Sequence, residues 1–143
     1  MYARGILIGI TRGTTNAHIA RAVLESIALE SFDLFRCMRE DSGMPIRELR
    51  VDGGVSKSGF IMQLQSDLIR CSVCRPCCVE TTAMGAAMLA GLAVGVWQDM
   101  RELESLWKAQ TRFSPVMEEE KAEKMIARWH RAVERCRGWE TEE

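Results

Sequence analysis

Short apolar runs alternate with long stretches of helical periodicity along this chain, and that alternation constrains its fold more than any other feature. "ILIGI", Ile6 to Ile10, is a brief apolar run closed by the turn cluster "TRGTTN", which reads as a strand. Apolar residues then recur at Ala20, Val23, Leu24, Ile27, Leu34, Phe35 and Met38, the stripe of a long helix that starts near Asn16 and stops at "DSGMP". Leu49 and Val51 alternate with Arg50 and Asp52 in a second short strand that runs into Gly53 and Gly54. "SGFIMQLQSDLIR" sets Phe60, Ile61, Leu64 and Leu68 on one side of a second helix. A third strand falls in "CSVCRP", followed by a small-residue helix from about Thr82 to Gly95. "DMRELESLW" reads as a short surface helix, "RFSP" as an extended piece, and Met117 to Arg137 as a closing helix that buries Ala122, Met125, Ile126, Trp129, Ala132, Val133 and Cys136. Strands alternating with helices predict an α/β domain whose sheet is covered by helices.

At 143 residues the chain is one domain or part of one. The first expected strand starts almost at residue 1 with no turn signal ahead of it, so the expectation is a piece of a larger domain. A net charge of −1 gives no basic excess for nucleic acid. The most apolar stretch, Ala83 to Trp97, spans about 15 residues against the roughly 20 needed to cross a bilayer, so a buried helix is expected there. "MYARGILIGI" lacks the pattern of a secretory signal, and the six cysteines are therefore read as reduced thiols in a cytoplasmic protein.

Four of those cysteines crowd into "CSVCRPCC", Cys71 to Cys78. In a regular strand Cys71 and Cys74 stand about 10 Å apart and face opposite ways, beyond the roughly 7 Å that a disulfide spans. The two histidines, His18 and His130, lie far away in sequence, and the spacing matches neither a zinc ribbon nor a ferredoxin run. Small apolar thiols in a strand and its exit loop are the expectation. A site distorted around Pro76 stays open, and a thiol metal module would carry stoichiometric zinc or iron.

"VDGGVSKSG", Val51 to Gly59, carries the chemistry. A strand ending in two glycines at a helix start lets backbone approach a flat or charged ligand, which suits a nucleotide. It is neither a Walker loop nor a G-x-G-x-x-G fingerprint, and a tight turn needing only glycine geometry explains it equally well. Lys57 reads as a solvated loop lysine or a phosphate contact, and Thr81 and Thr82 as caps of the small-residue helix. Gly85, Ala86, Ala87, Ala90 and Gly91 suit close packing, or room for a ligand at that helix's N-terminus. Glu25, Glu30, Asp33 and Glu40 all lie on the first long helix and read as its solvated or interface side rather than a catalytic pair.

From Gly5 to Glu25, "GILIGITRGTTNAHIARAVLE" resembles the second signature of the FGGY carbohydrate-kinase family, through Gly5, Leu7, Gly9, Ile10, His18, Ile19, Ala22, Val23, Leu24 and Glu25. "LRVDGG", "FIMQLQSDLI", "RP", "ETTAMGAAMLAGLAVGVW" and "RWHRAVERCRGW" resemble, in order, the end of the family's glycerol-phosphorylating branch. The resemblance implies part of an actin-like, ribonuclease-H-like ATPase domain, a short mixed sheet packed with helices, with residues 1–143 as the C-terminal portion of the nucleotide-binding domain. It implies transfer of the γ-phosphoryl of Mg-ATP to glycerol, with Gly53 and Gly54 lining the adenine and ribose pocket. The family's nucleotide-contacting Asn falls at Ser58, and the Asn that often follows it at Gly59; losing an amide's hydrogen bond costs on the order of 1 kcal/mol. The catalytic Asp, the Mg²⁺ ligands and the glycerol contacts would lie upstream of Met1, so this chain alone is expected to phosphorylate nothing. Neither nucleic acid nor membrane is an expected partner, while self-association through uncovered apolar surface is. The alternative is a non-catalytic actin-like module that binds nucleotide or a partner.

Overall fold

The computed structural model describes residues 2–140. Helix α1 (Asn16–Ser42) opens where His18 folds back on Thr15, its Nδ1 accepting the Thr15 N–H at 3.1 Å. It ends at Gly43, a left-handed cap at φ 63° whose N–H donates to the Arg39 carbonyl. Strand β1 (Glu48–Arg50) leads through a 3-10 turn (Gly54–Lys57) into α2 (Gly59–Ile69), and β2 (Ser72–Pro76) comes next. Then come α3 (Thr81–Ala93), α4 (Met100–Leu106), β3 (Ala109–Phe113) and α5 (Glu119–Cys136).

The sheet is mixed, with β2 at its centre, parallel to β1 and antiparallel to β3. A parallel pair needs a crossover, and α2 supplies it. Leu49, Val73 and Phe113 stand side by side in one row, while Arg50, Cys74 and Arg112 make the next. Side chains alternate along a strand, so the two rows face opposite ways. The apolar row meets α1, α2 and α5 in a core built on Ala28, Leu29, Phe35, Ile61, Leu64, Leu68 and Ala122. Across the other row Glu48 bridges Arg50 at 3.2 Å and Arg112 at 2.7 Å, and the Arg50 guanidinium lies 3.9 Å from the centre of the Trp107 ring. Hydrogen bonds from Cys74, Arg50 and Arg112 hold the Glu48 carboxyl below its usual range.

The buried Asp67 and Ser66 side chains of α2 fix the path of the chain beyond β3. Asp67 accepts the backbone N–H groups of Val116 at 2.7 Å and Met117 at 3.1 Å, and Ser66 lies within bonding reach of the Cys71 and Phe113 carbonyls. That sets the direction in which α5 returns over α1. There Asp33 accepts the Trp129 Nε1–H at 2.7 Å and lies 2.7 Å from His130 Nε2. Burial opposes ionisation of Asp33, but the bonds from His130 and Trp129, with the charges of His130 and Arg36, outweigh it and hold the carboxyl below its usual range. The acid at position 33 is thus an interface residue of the long helix.

Three expectations are corrected. Ile6 to Ile10 forms no strand among the described residues; Leu7, Ile8 and Ile10 are exposed, because an apolar run becomes a strand only where a neighbour completes its hydrogen-bond ladder. Neither Thr81 nor Thr82 caps helix α3: Glu80 holds the N-cap position without a side-chain cap bond, and the Thr81 hydroxyl donates to the Asp52 carboxylate instead. Its small residues do not pack closely against the sheet: only Gly91 is buried, under the Trp97 ring.

Candidate functional site

Where β1 ends, the backbone is held in a shape that a side chain would resist. Val51 donates its N–H to the Cys74 carbonyl at 3.1 Å, and Gly53 donates to the Val79 carbonyl at 2.9 Å. Between them the chain turns outward at Gly53, with φ 76° and ψ 179°, a region that essentially only glycine occupies. The turn then closes on itself: the Ser56 N–H and hydroxyl both donate to the Gly53 carbonyl, at 3.2 and 2.7 Å. A Cβ on either Gly53 or Gly54 would meet nothing within 4 Å. Backbone is therefore bare on the outer side of the turn, with free space in front of it.

Arg75 secures the turn from behind. It sits at a core-facing register of the central strand, and its Nη1 donates to the carbonyls of Ser56 and Lys57, both at 3.1 Å. Its Nη2 donates to Thr111 Oγ1 at 3.1 Å, while its Nε is buried and finds no partner among the described residues. The Asp52–Thr81 bond joins the same turn to the start of α3. Gly53, Gly54, Asp52 and Thr81 thus come together at one end of the sheet.

Ser58 lies at the same turn but has a structural job. It is the N-cap of α2, its oxygen accepting the Ile61 N–H over a long 3.4 Å. Its own O–H remains able to donate to a ligand acceptor, which an aliphatic residue could not do. Lys57 is exposed and contributes its carbonyl to Arg75. Gly59, the first residue of α2, faces the Phe113 ring across 3.9 Å from an ideal Cβ.

The thiols divide by element. Cys74 is fully buried and Cys71 half-buried in and beside β2, and burial pushes both thiols up; Cys77 and Cys78 are exposed on the loop beyond it. Among the described residues no three His, Cys, Asp or Glu side chains are placed to share a metal ion. A separate open cleft of about 840 Å³ lies between residues 4–14, α1 and α5, lined by Ile6, Ile8, Ile19, Trp129 and Val133 among others. It does not include Gly53, Gly54 or Ser58.

The profile of the FGGY family of carbohydrate kinases, C-terminal domain, matches residues 2–94. The chain belongs to the FGGY family of carbohydrate kinases. Among FGGY kinases it is 57% identical over 138 residues to glycerol kinase of Aromatoleum aromaticum and 53% identical to glycerol kinase 2 of Sulfolobus acidocaldarius, in each case covering 96% of this chain. It spans 28% of the length of both relatives. Among solved structures, Plasmodium falciparum glycerol kinase with ADP superposes with a TM-score of 0.82 at 35% identity, over 94% of this chain and 27% of that one. Xylulose kinase from Lactobacillus acidophilus superposes with a TM-score of 0.75 at 24% identity, over the same shares, and shares the fold. The α/β arrangement of the described residues, a short mixed sheet with five helices, is thus part of the actin-like ATPase fold of FGGY kinases.

Arg75 and the Asp52–Thr81 pair were not singled out as site residues from the sequence. The readable signal for Arg75 was an arginine in an otherwise apolar strand, at a position whose alternation with Cys74 turns it toward the core. Nothing local in "VDGG" or "ETTAMG" announces that Asp52 and Thr81 meet across 29 residues.

Proposed function

We propose that residues 1–143 are the C-terminal portion of the nucleotide-binding domain of an ATP-dependent glycerol kinase, and that Gly53 and Gly54 form the wall on which the adenosine rests. The observation that carries this reading is the outward turn at Gly53: glycine-only backbone, nothing in front of it, in a chain similar to a glycerol kinase whose structure holds ADP. A flat base needs close approach to bare backbone, and this turn offers it. Ser58 would donate its O–H to a ribose or ring acceptor while its oxygen caps α2. ATP supplies the phosphoryl group for transfer to a terminal hydroxyl of glycerol, with Mg²⁺ neutralising the phosphates through ligands outside this chain.

This chain's own part is binding and orientation. Arg75, Val79 and Ser56 fix the turn, and the turn fixes the nucleotide's adenosine end. Calorimetry with ADP and ATP tests the reading. Binding by the unaltered chain that is lost in Gly54→Val supports it, because an ideal Cβ at Gly54 meets no protein atom and the valine fills only ligand space. Undiminished binding in Gly54→Val overturns it. A coupled assay with ATP, Mg²⁺ and glycerol should show no turnover by the chain alone; turnover above a no-protein control contradicts the proposed division of labour.

A cytoplasmic location and self-association belong to the same proposal. Exposed Leu7, Ile8, Ile10, Leu89, Val94 and Val96 support the latter, and sedimentation velocity tests it. The alternative, a non-catalytic actin-like module, draws on Ser58, whose oxygen is engaged in capping. Nucleotide binding without transfer, in a longer chain carrying the upstream part, would favour that alternative.

A further inference from the structure

Two of the four thiols between Cys71 and Cys78 are chemically withdrawn, and two are not. Cys74 is buried and Cys71 half-buried, which shields their sulfurs from an incoming disulfide, and burial also raises both thiols. Cys77 and Cys78 are neighbours in sequence, both exposed, on a loop tied at each end. The Cys77 N–H donates to the Lys108 carbonyl at 3.1 Å. Val79, next after Cys78, accepts the Gly53 N–H at 2.9 Å, and Thr81 two residues on holds Asp52. The segment that carries the exposed pair therefore supplies one of the ties on the turn at Gly53, beside those of Arg75 and Ser56.

We propose that the Cys77–Cys78 pair is a thiol-modification site, at which a low-molecular-weight disulfide forms a mixed disulfide and loosens the Gly53 turn. The thiolate of either cysteine attacks one sulfur of the disulfide; a new S–S bond forms as the old one breaks, and the departing thiolate takes up the proton the cysteine gave up. The protein sulfur is oxidised and the departing sulfur reduced, so the exchange needs no other reagent and is reversed by excess thiol. An adduct at either position lies between two ties of the loop, the Cys77–Lys108 bond at one end and the Val79–Gly53 bond at the other, and displacement of the loop by its bulk strains the second. The chemistry is independent of any ligand; its effect on nucleotide rests on the function proposed above.

The test uses the whole chain, reduced, with exposed Cys37 replaced by serine to remove competing label. It is incubated with oxidised glutathione, mapped by mass spectrometry, and monitored by hydrogen exchange across residues 48–60. Adducts should form at Cys77 or Cys78 at least about tenfold faster than at Cys71 and Cys74. Exchange at Gly53 should accelerate by about tenfold, return to its starting value with dithiothreitol, and stay unchanged in the Cys77→Ser/Cys78→Ser chain. Label appearing first at Cys71 or Cys74, or full labelling of the pair with unchanged exchange at Gly53, overturns the proposal. Where the reduced chain binds ADP, the adduct should weaken that binding. Absence of ADP binding in the reduced chain counts against the nucleotide reading, while labelling and exchange still decide this one.

Discussion

Replacing Arg75 with methionine is the sharpest probe of what holds the turn. Each hydrogen bond from a charged donor contributes about 1.5–3 kcal/mol, and Arg75 makes three, to Ser56, Lys57 and Thr111. The net loss must be smaller than their sum. Lys57 is exposed, so water replaces the guanidinium at its carbonyl, and Thr111 is half-buried and partly hydrated as well. Ser56 is 1% exposed, so its carbonyl has the least access to a substitute. In the other direction, the buried Nε has no partner among the described residues, a standing penalty of about 1–3 kcal/mol that methionine removes. Methionine also keeps apolar contact near Phe113, whose ring centre lies 5.6 Å from the guanidinium carbon. The balance is a destabilisation of about 2 kcal/mol, which at a slope of about 2 kcal/mol per molar lowers the urea midpoint by roughly 1 M. Arg75→Lys keeps a charge but not the planar fork, and should recover less than half of the loss. A midpoint for Arg75→Met within about 0.2 M of the unaltered chain would refute the claim that this guanidinium holds the turn.

Gly53→Ala should destabilise by about 1–3 kcal/mol, because it forces a side chain into glycine-only backbone, while Gly54→Ala should change stability little; equal effects in denaturant unfolding would contradict the conformational argument. Asp33 has a folded-state pKa below its unfolded value, so its contribution is present above the ordinary carboxylate pKa and is lost as pH falls through the depressed folded value. Asp33→Asn should therefore flatten the acid limb of the stability–pH curve, and an acid limb of unchanged steepness would show that the α1–α5 contact does not depend on the ionised carboxylate. Asp67→Ala should cost about 1–3 kcal/mol by leaving the Val116 and Met117 N–H groups without their acceptor, read as a lower thermal midpoint.

Periodicity locates the helices, but it overstates how much of α1 is covered. Of the stripe read from its spacing, Phe35 is buried and Ile27 packs against the core, whereas Val23, Leu24, Leu34 and Met38 are exposed. The buried Ala28 and Leu29 are not part of that stripe, while Leu64 and Leu68 on α2 are buried as their spacing predicts. The short strand at Leu49 and the turn at Gly53 are legible for a related reason, since alternation and paired glycines are local signals. Ile6 to Ile10 misleads because strand formation depends on a partner elsewhere, which no window of five residues contains. The small-residue face of α3 poses the same problem in reverse, since its composition fits close packing but does not supply the surface to pack against. Of the residues proposed for the nucleotide, Gly53 and Gly54 stand out through backbone chemistry, whereas Ser58 enters through the family resemblance. Its capping role, and the clamp of Arg75 on the turn, arise from contacts that only the folded register brings about.

All the ties on the Gly53 turn come from the protein side. The Arg75 guanidinium, the Val79 carbonyl and the Ser56 hydroxyl already fix its backbone, and at Gly53 and Gly54 its surface carries no side chain. A ligand arriving there meets a preorganised surface and need not freeze a mobile loop, so little conformational entropy is lost at this contact. Association at such a surface proceeds without waiting on a local rearrangement, and differences in affinity among ligands that touch it should appear chiefly in how fast they leave.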